Sequence, residues 1–337
     1  MSVRIESGRF LITGGASLIG SHTAEELLAA GAAEVVLFDN LAFGTPEEQV
    51  APLLATGRVR LIRGNVLDGQ SLAAACVGID GVFALAGFMS AGLGADPGLG
   101  LDVNIKGTLN ALEACRVNRV RKFVLASSSA VYGYGAIGGA IPESDPYRSA
   151  GVPAPPALYG ASKIIAEQLC RLYGDQHALD FLILRYSTVY GERQHYRSVN
   201  ALYIIEACDR LAQGKPAILY GDGSETKDFV YVGDVARANR LAMASDIVGE
   251  AFNISGGKPL TVKFLAETIA RIVGSDLAPE YRTAPATGFR IATDAPFHYD
   301  RSKAEAMLGW TPLISIEAGI RRLVAWRRQN PPQTPSA

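Results

Sequence analysis

A chain of 337 residues exceeds one minimal domain and suits one large α/β unit carrying a smaller appendage. Hydrophobic residues at 48% and charged residues at 19% can bury a sizeable core, which excludes a disordered or fibrous protein. A formal charge of −1 gives no global attraction for nucleic acid or an anionic membrane, so small neutral partners or small anions remain.

Short β-branched runs alternate with longer amphipathic stretches through the first half of the chain, the pattern of right-handed βαβ crossovers that build a parallel sheet. Strands are expected at 9–13, 34–39, 59–63, 81–86, 122–127 and 180–184, with helices at 21–30, 70–76, 103–117 and 158–177. After Arg185 the character changes: 191–200 is polar, 199–213 reads as an amphipathic helix, and 219–223 reads as a loop beside a strand. Further strands at 229–232 and 251–254 are expected to rejoin the sheet. The fold class is therefore α/β, a Rossmann-type doubly wound parallel sheet with a smaller, sequence-interleaved C-terminal substrate domain. The expected division is a dinucleotide-binding domain at 1–187 with 229–256 returning to it, a second lobe from 188–228 and 257–328, and a disordered tail at 329–337 that lacks apolar anchors.

Cys76, Cys115, Cys170 and Cys208 lie far apart, with no Cys-x-x-Cys pair and no histidine at ligand spacing. Neither a metal site nor a disulfide framework is expected, and a cytoplasmic setting follows. No run of 18 apolar residues occurs, and Met1-Ser2-Val3-Arg4 leads directly towards a strand, so neither a membrane span nor a secretory leader is expected.

Thr13-Gly14-Gly15-Ala16-Ser17-Leu18-Ile19-Gly20 ends the first strand and opens the first helix. Glycines there let the backbone turn tightly against a pyrophosphate, whose charge the helix N-terminus stabilises, although the same residues also serve plain strand-to-helix packing. Asp39 closes the second strand, where a carboxylate accepts from a ribose 2′-hydroxyl and repels a 2′-phosphate. NAD is expected rather than NADP. Tyr159 and Lys163 stand at i and i+4 at the start of a helix, so an ammonium can stabilise a phenolate. A serine hydroxyl from Ser127-Ser128-Ser129 at the facing strand end would hold the substrate oxygen that exchanges its proton with Tyr159. Read alone, the pair is also compatible with an amphipathic surface turn.

Together these motifs resemble an extended short-chain dehydrogenase/reductase of the NAD-dependent nucleotide-sugar epimerase/dehydratase family. The likeness covers roughly 10–326 and includes Phe38-Asp39-Asn40-Leu41, Asn104, Ser128 before Val131-Tyr132-Gly133, Tyr159 with Lys163, Arg185-Tyr186, the segment from Asp222-Gly223 to Val232, and Asp300-Arg301-Ser302-Lys303-Ala304 before Leu308-Gly309-Trp310. The resemblance implies a tightly held NAD touched by Gly14, Ser17, Leu18, Ile19, Gly20, Asp39, Asn40, Asn65, Val66, Leu85, Ala86, Asn104, Tyr159, Lys163 and Tyr186. It implies a nucleotide-sugar site using Ser129, Thr188, Lys227 and Arg290, with the diphosphate anchored in the second lobe. Four departures stand out: Ser17 replaces the family's middle glycine, Asn65 its aspartate near the adenine, Ser187-Thr188 its Phe-Asn pair, and Met89 lies near a lysine position.

Within the family, dehydratases and decarboxylases typically carry a glutamate two positions after the catalytic serine or threonine, where this chain has Ala130. The resemblance therefore implies a 4-epimerase of a UDP-hexose or UDP-hexuronate, acting through a transient 4-keto intermediate. A dehydratase, decarboxylase or keto-sugar reductase is the alternative, and a non-catalytic NAD-sensing protein is disfavoured because Tyr159 and Lys163 are both present. The helices at 103–117 and 158–177 are apolar on more than one face, which fits either one broad core face or a partner on the second face, and the resemblance implies a homodimer formed there.

Overall fold

The structure is a computed structural model and describes residues 3–42, 47–133, 139–194, 202–283 and 297–331. The first half runs β1 (Arg9–Thr13), α1 (Leu18–Ala29), β2 (Glu34–Asp39), α2 (Glu47–Leu54), β3 (Val59–Arg63), α3 (Gly69–Ala75), β4 (Gly81–Ala84), α4 (Ser90–Ala95) and α5 (Pro97–Leu101). A π-helical turn, Asp102–Lys106, feeds α6 (Gly107–Asn118), followed by β5 (Lys122–Ser128), a 3₁₀ turn (Ser129–Tyr132), α7 (Ala154–His177) and β6 (Asp180–Tyr186). Next come β7 (Thr188–Tyr190), α8 (Leu202–Ala212), β8 (Ile218–Tyr220), β9 (Thr226–Tyr231), α9 (Val232–Ala244), β10 (Glu250–Ile254) and β11 (Pro259–Thr261). The last elements are α10 (Val262–Val273), β12 (Glu280–Arg282), a second π turn (Ala304–Leu308) and α11 (Ile316–Gln329).

Seven strands form one parallel sheet in the order β3-β2-β1-β4-β5-β6-β10. Strands such as Phe10-Leu11-Ile12 and Val35-Val36-Leu37 are apolar on both sides because each face of the sheet is covered. One face is packed by α1 and α9 through Leu27, Ala238 and Met243, the other by α3, α6 and α7 through Leu72, Leu112, Cys115 and Cys170. The order reverses between β1 and β4, which opens a crevice at the carboxyl ends of those strands.

Several boundaries differ from the sequence reading. β4 stops at Ala84, which releases Leu85 and Ala86 into the crevice-lining loop. The 229–232 run does not rejoin the large sheet: β9 pairs with β7 in parallel and with β11 antiparallel, and Val232 opens α9. What returns to the large sheet is α9 on its face and β10 at its edge beside β6. Leu219 and Tyr220 belong to β8, which pairs with β12, and only 221–223 form the turn. Of the tail expected from 329, Gln329 is helical and the Asn330 side-chain amide donates to the Trp326 carbonyl at 3.0 Å, while residues 332–337 lie outside the described residues.

Candidate active site

The crevice at the β1–β4 reversal encloses a cavity of about 400 Å³. Its first wall is the turn after β1. Gly14 adopts a left-handed φ of +67°, and a Cβ there would lie 2.9 Å from the Ala86 backbone. A Cβ on Gly20 would lie 2.4 Å from the Gly14 carbonyl oxygen, so Gly20 lets α1 sit down on the turn without itself lining the cavity. Ser17 is the N-cap of α1, its Oγ accepting from the Gly20 amide at 3.2 Å, which accounts for a side chain at that position. The positive end of α1 thus faces the crevice beside Ser17, Leu18 and Ile19.

Asp39 sits at the end of β2, its carboxylate accepting from the Ala16 amide at 3.0 Å and the Leu41 amide at 2.8 Å. Burial pushes its carboxyl upward, opposed by those two amides. Asn40, Asn65 and Val66 continue this end of the cavity, and the Asn65 side-chain oxygen accepts from the Leu67 amide at 3.0 Å. Asn104 is placed behind the wall: its amide group bonds both the Phe88 N–H (2.7 Å) and carbonyl (3.0 Å) and the Ser162 hydroxyl (3.0 Å). It braces the loop after β4 against α7 and lies outside the cavity lining.

The other end of the cavity brings β5, α7 and β6 together. Ser128 accepts from the Ala130 amide at 3.1 Å, and it lines the cavity together with Tyr159. Burial pushes the Tyr159 phenol up, and Ser128 opposes that shift. One turn on, the Lys163 ammonium donates to the Ala126 carbonyl at 2.9 Å and stands 5.9 Å from the centre of the Tyr159 ring. Burial pulls this ammonium down to about 8, opposed by the charge of Glu167. Ser129, Tyr186 and Thr188 complete the lining, with the Tyr186 hydroxyl anchored on Asn239 of α9 at 2.6 Å.

Lys227 is not brought to this cavity. It pairs with Glu225 at 3.1 Å and lies 5.6 Å from the Tyr203 ring. Arg290 lies outside the described residues. The lining also includes Gly64, Gly87 and Phe88, which carry no chemical signal in sequence, whereas Glu167 stands one helical turn beyond Lys163 and could have been found by that spacing. Among the described residues no group of three or more His, Cys, Asp or Glu side chains gathers to hold a metal ion, and no helix is long and apolar enough to cross a membrane.

The glycine cradle, the helix N-terminus and the buried carboxylate at a strand end fit a dinucleotide whose pyrophosphate crosses the turn and whose ribose meets Asp39. Known proteins agree. The family model described as NAD dependent epimerase/dehydratase family matches residues 10–255. A UDP-glucuronate 4-epimerase of Thermodesulfobacterium geofontis is 32% identical over 339 residues, covering 96% of this chain and 97% of its own. A dTDP-glucose 4,6-dehydratase of Actinoplanes sp. is 30% identical over 330 residues, covering 96% and 98%. Among solved structures, the UDP-glucose 4-epimerase of Thermus thermophilus in complex with NAD is 35% identical with a TM-score of 0.76, covering 95% of this chain and 99% of that one.

Proposed function

The chain belongs to the NAD dependent epimerase/dehydratase family, and from that premise we propose that it is an NAD-dependent 4-epimerase of a UDP-hexose or UDP-hexuronate. The observation that carries this reading is the composition of the cavity where Ser128, Tyr159 and Lys163 meet. Asp39 is the one carboxylate among the described lining residues, and it stands at the opposite end from Tyr159, held by the glycine turn. Ala130, two residues after the strand end, supplies no acid for elimination or decarboxylation.

NAD, when bound, supplies a hydride acceptor and donor for the fourth carbon of the sugar. Tyr159 takes the proton of the 4-hydroxyl and returns it, Lys163 stabilises the phenolate, and Ser128 holds the oxygen through the 4-ketone stage. Gly14, Ser17 and the α1 N-terminus would hold the pyrophosphate, with Gly20 letting α1 sit against the turn, and Asp39 would hold the adenosine ribose and disfavour a 2′-phosphate. Thr188 and Ser129 face the sugar diphosphate from the second lobe and the β5 end. Lys227 and Arg290 remain candidates for its phosphates, Lys227 by exchanging Glu225 for phosphate oxygen. The outward faces of α6 and α7 carry exposed Leu109, Val117, Ile165 and Leu172 on adjacent helices, which supports a dimer formed through this surface. Four free, buried cysteines support a reducing, cytoplasmic setting.

Incubation with candidate UDP-sugars, followed by proton NMR and mass spectrometry, tests the reaction. Interconversion of 4-epimers without net NADH, with deuterium retained on the fourth carbon and none acquired from solvent at the fifth, is expected. Carbon dioxide release, water loss or solvent deuterium at the fifth carbon would overturn it.

A further inference from the structure

Behind the Tyr159–Lys163 pair lies a cluster whose charged members, Glu167 and Arg185, do not line the cavity. Glu167 is one helical turn after Lys163 on α7 and only 2% exposed. One carboxylate oxygen accepts from the Ser127 hydroxyl at 2.6 Å and from Arg185 Nε at 2.9 Å, and the other accepts from Arg185 Nη2 at 2.6 Å. Arg185 in turn donates to the Tyr132 hydroxyl at 2.9 Å and the Glu143 carbonyl at 2.8 Å, and the Tyr132 hydroxyl donates to Asn253 at 2.6 Å. The cluster therefore spans β5, β6, α7, the 3₁₀ turn and β10, and it grips Ser127, the residue before Ser128.

A buried ion pair gives at best a weak return in stability against its desolvation, so its place beside the reacting groups invites a functional account. Lys163 donates to the Ala126 carbonyl of β5 and lies against the Gly87 backbone beside neutral Asn104 of the π turn, with Tyr159 one helical turn before it and Glu167 one turn after it on α7; Glu167 in turn holds Ser127 of β5 and Arg185 of β6. Glu167 is the anion of this set and Arg185 the second cation. Residues i and i+4 on a helix have Cβ atoms roughly 5–6 Å apart, within the range at which opposite charges act strongly in a dry interior.

We propose that Glu167 is a positioning residue that keeps Lys163 an ammonium beside Tyr159, with Arg185 as the counterweight that fixes the carboxylate in place and moderates its field. The inference rests on the reading of Tyr159 and Lys163 as the proton-handling pair. Without Glu167 the buried ammonium faces desolvation alone and a nearby guanidinium besides, so it sheds its proton at lower pH. Without Arg185 the full carboxylate charge acts on it, so it keeps its proton to higher pH.

The test is NMR titration of [ε-¹³C]lysine-labelled enzyme loaded with NAD, the Lys163 signal being assigned by its loss in Lys163→Met. Glu167→Gln should lower the Lys163 midpoint by at least ~1 pH unit. Arg185→Gln should raise it, the double variant should fall between wild type and Glu167→Gln, and Glu167→Asp should restore most of the wild-type value. The alkaline limb of the kcat–pH profile should move in the same order. Shifts of both single variants in one direction, or an unmoved Lys163 in Glu167→Gln, overturn the proposal. The double variant removes both members of the Glu167–Arg185 pair and so leaves neither of them buried without the other, and its lowered midpoint decides the matter should either single variant fail to fold. If wild-type enzyme turns over no nucleotide sugar, the epimerase reading fails while the lysine titration still gives its answer.

Discussion

Tyr159 reaches the cavity with its phenol pushed up by burial, so the base role proposed for it requires that Lys163 and Ser128 favour the phenolate. Tyr159→Phe keeps the ring and removes the proton acceptor, and turnover should fall on the order of 10²- to 10⁴-fold, measured as kcat on the accepted sugar. NAD affinity by calorimetry should change little. A wild-type rate would assign the phenol a structural role. At this scale the sequence was legible where chemistry demands a residue type at a fixed spacing: Gly14, Asp39, Ser128, Tyr159 and Lys163 all meet at the cavity. It was silent where a role depends on what folds behind a residue. Asn104 looked like a cofactor contact and is a brace between Phe88 and α7, because a buried amide must satisfy its donors and acceptor wherever the backbone offers partners. Nor could the sequence show that Glu225, two residues away, holds the Lys227 ammonium, which would have to leave that partner to meet a phosphate.

Among the elements, β9 shows why strand identity and sheet membership are separate questions. Its β-branched and aromatic run was readable as a strand, but nothing local says that it pairs with β7 and β11 while α9 carries the chain back under the large sheet. Asp228 of β9 holds this junction. It is 2% exposed and accepts from the amides of Gly256 and Gly257 at 2.7 and 2.9 Å, tying β9 to the loop after β10. Burial pushes its carboxyl up to about 6, against the pull of Ser187, the two amides and Arg301. A native pKa above the unfolded value means that the native state holds the extra proton between about pH 6 and 4, so this group adds stability as pH falls through that window and costs it above. Relative to Asp228→Asn, which does not titrate, wild-type protein should gain up to roughly 3 kcal/mol on acidification from pH 7 to 4, read from urea midpoints. The hydrogen bonds that the substitution itself loses offset the two curves by a constant amount. A gap that stays flat with pH, or moves the other way, would contradict the assignment.

Taken whole, the molecule leaves the outer faces of α6 and α7 unusually apolar for a surface beside a complete fold, with Val117 51% and Leu172 44% exposed. If the proposed dimer forms through this surface, Leu172→Glu should give a monomer in sedimentation velocity where wild type gives a dimer, with the circular dichroism spectrum kept, and a species of unchanged size would remove this surface from consideration. The interleaved path has a consequence for how the protein is made. β6, with Leu182, Ile183 and Leu184 fully buried, gains its outer neighbour only when β10 arrives at Glu250–Ile254. A nascent chain that has emerged only as far as β7 therefore displays an apolar strand whose backbone donors and acceptors face water along one whole side. Such an edge pairs readily with any other chain in the same condition, so each ribosome carries a temporary aggregation hazard that ends only late in synthesis. Slow translation between β6 and β10 would lengthen that exposure, and a holding chaperone would find its target there rather than on the finished enzyme.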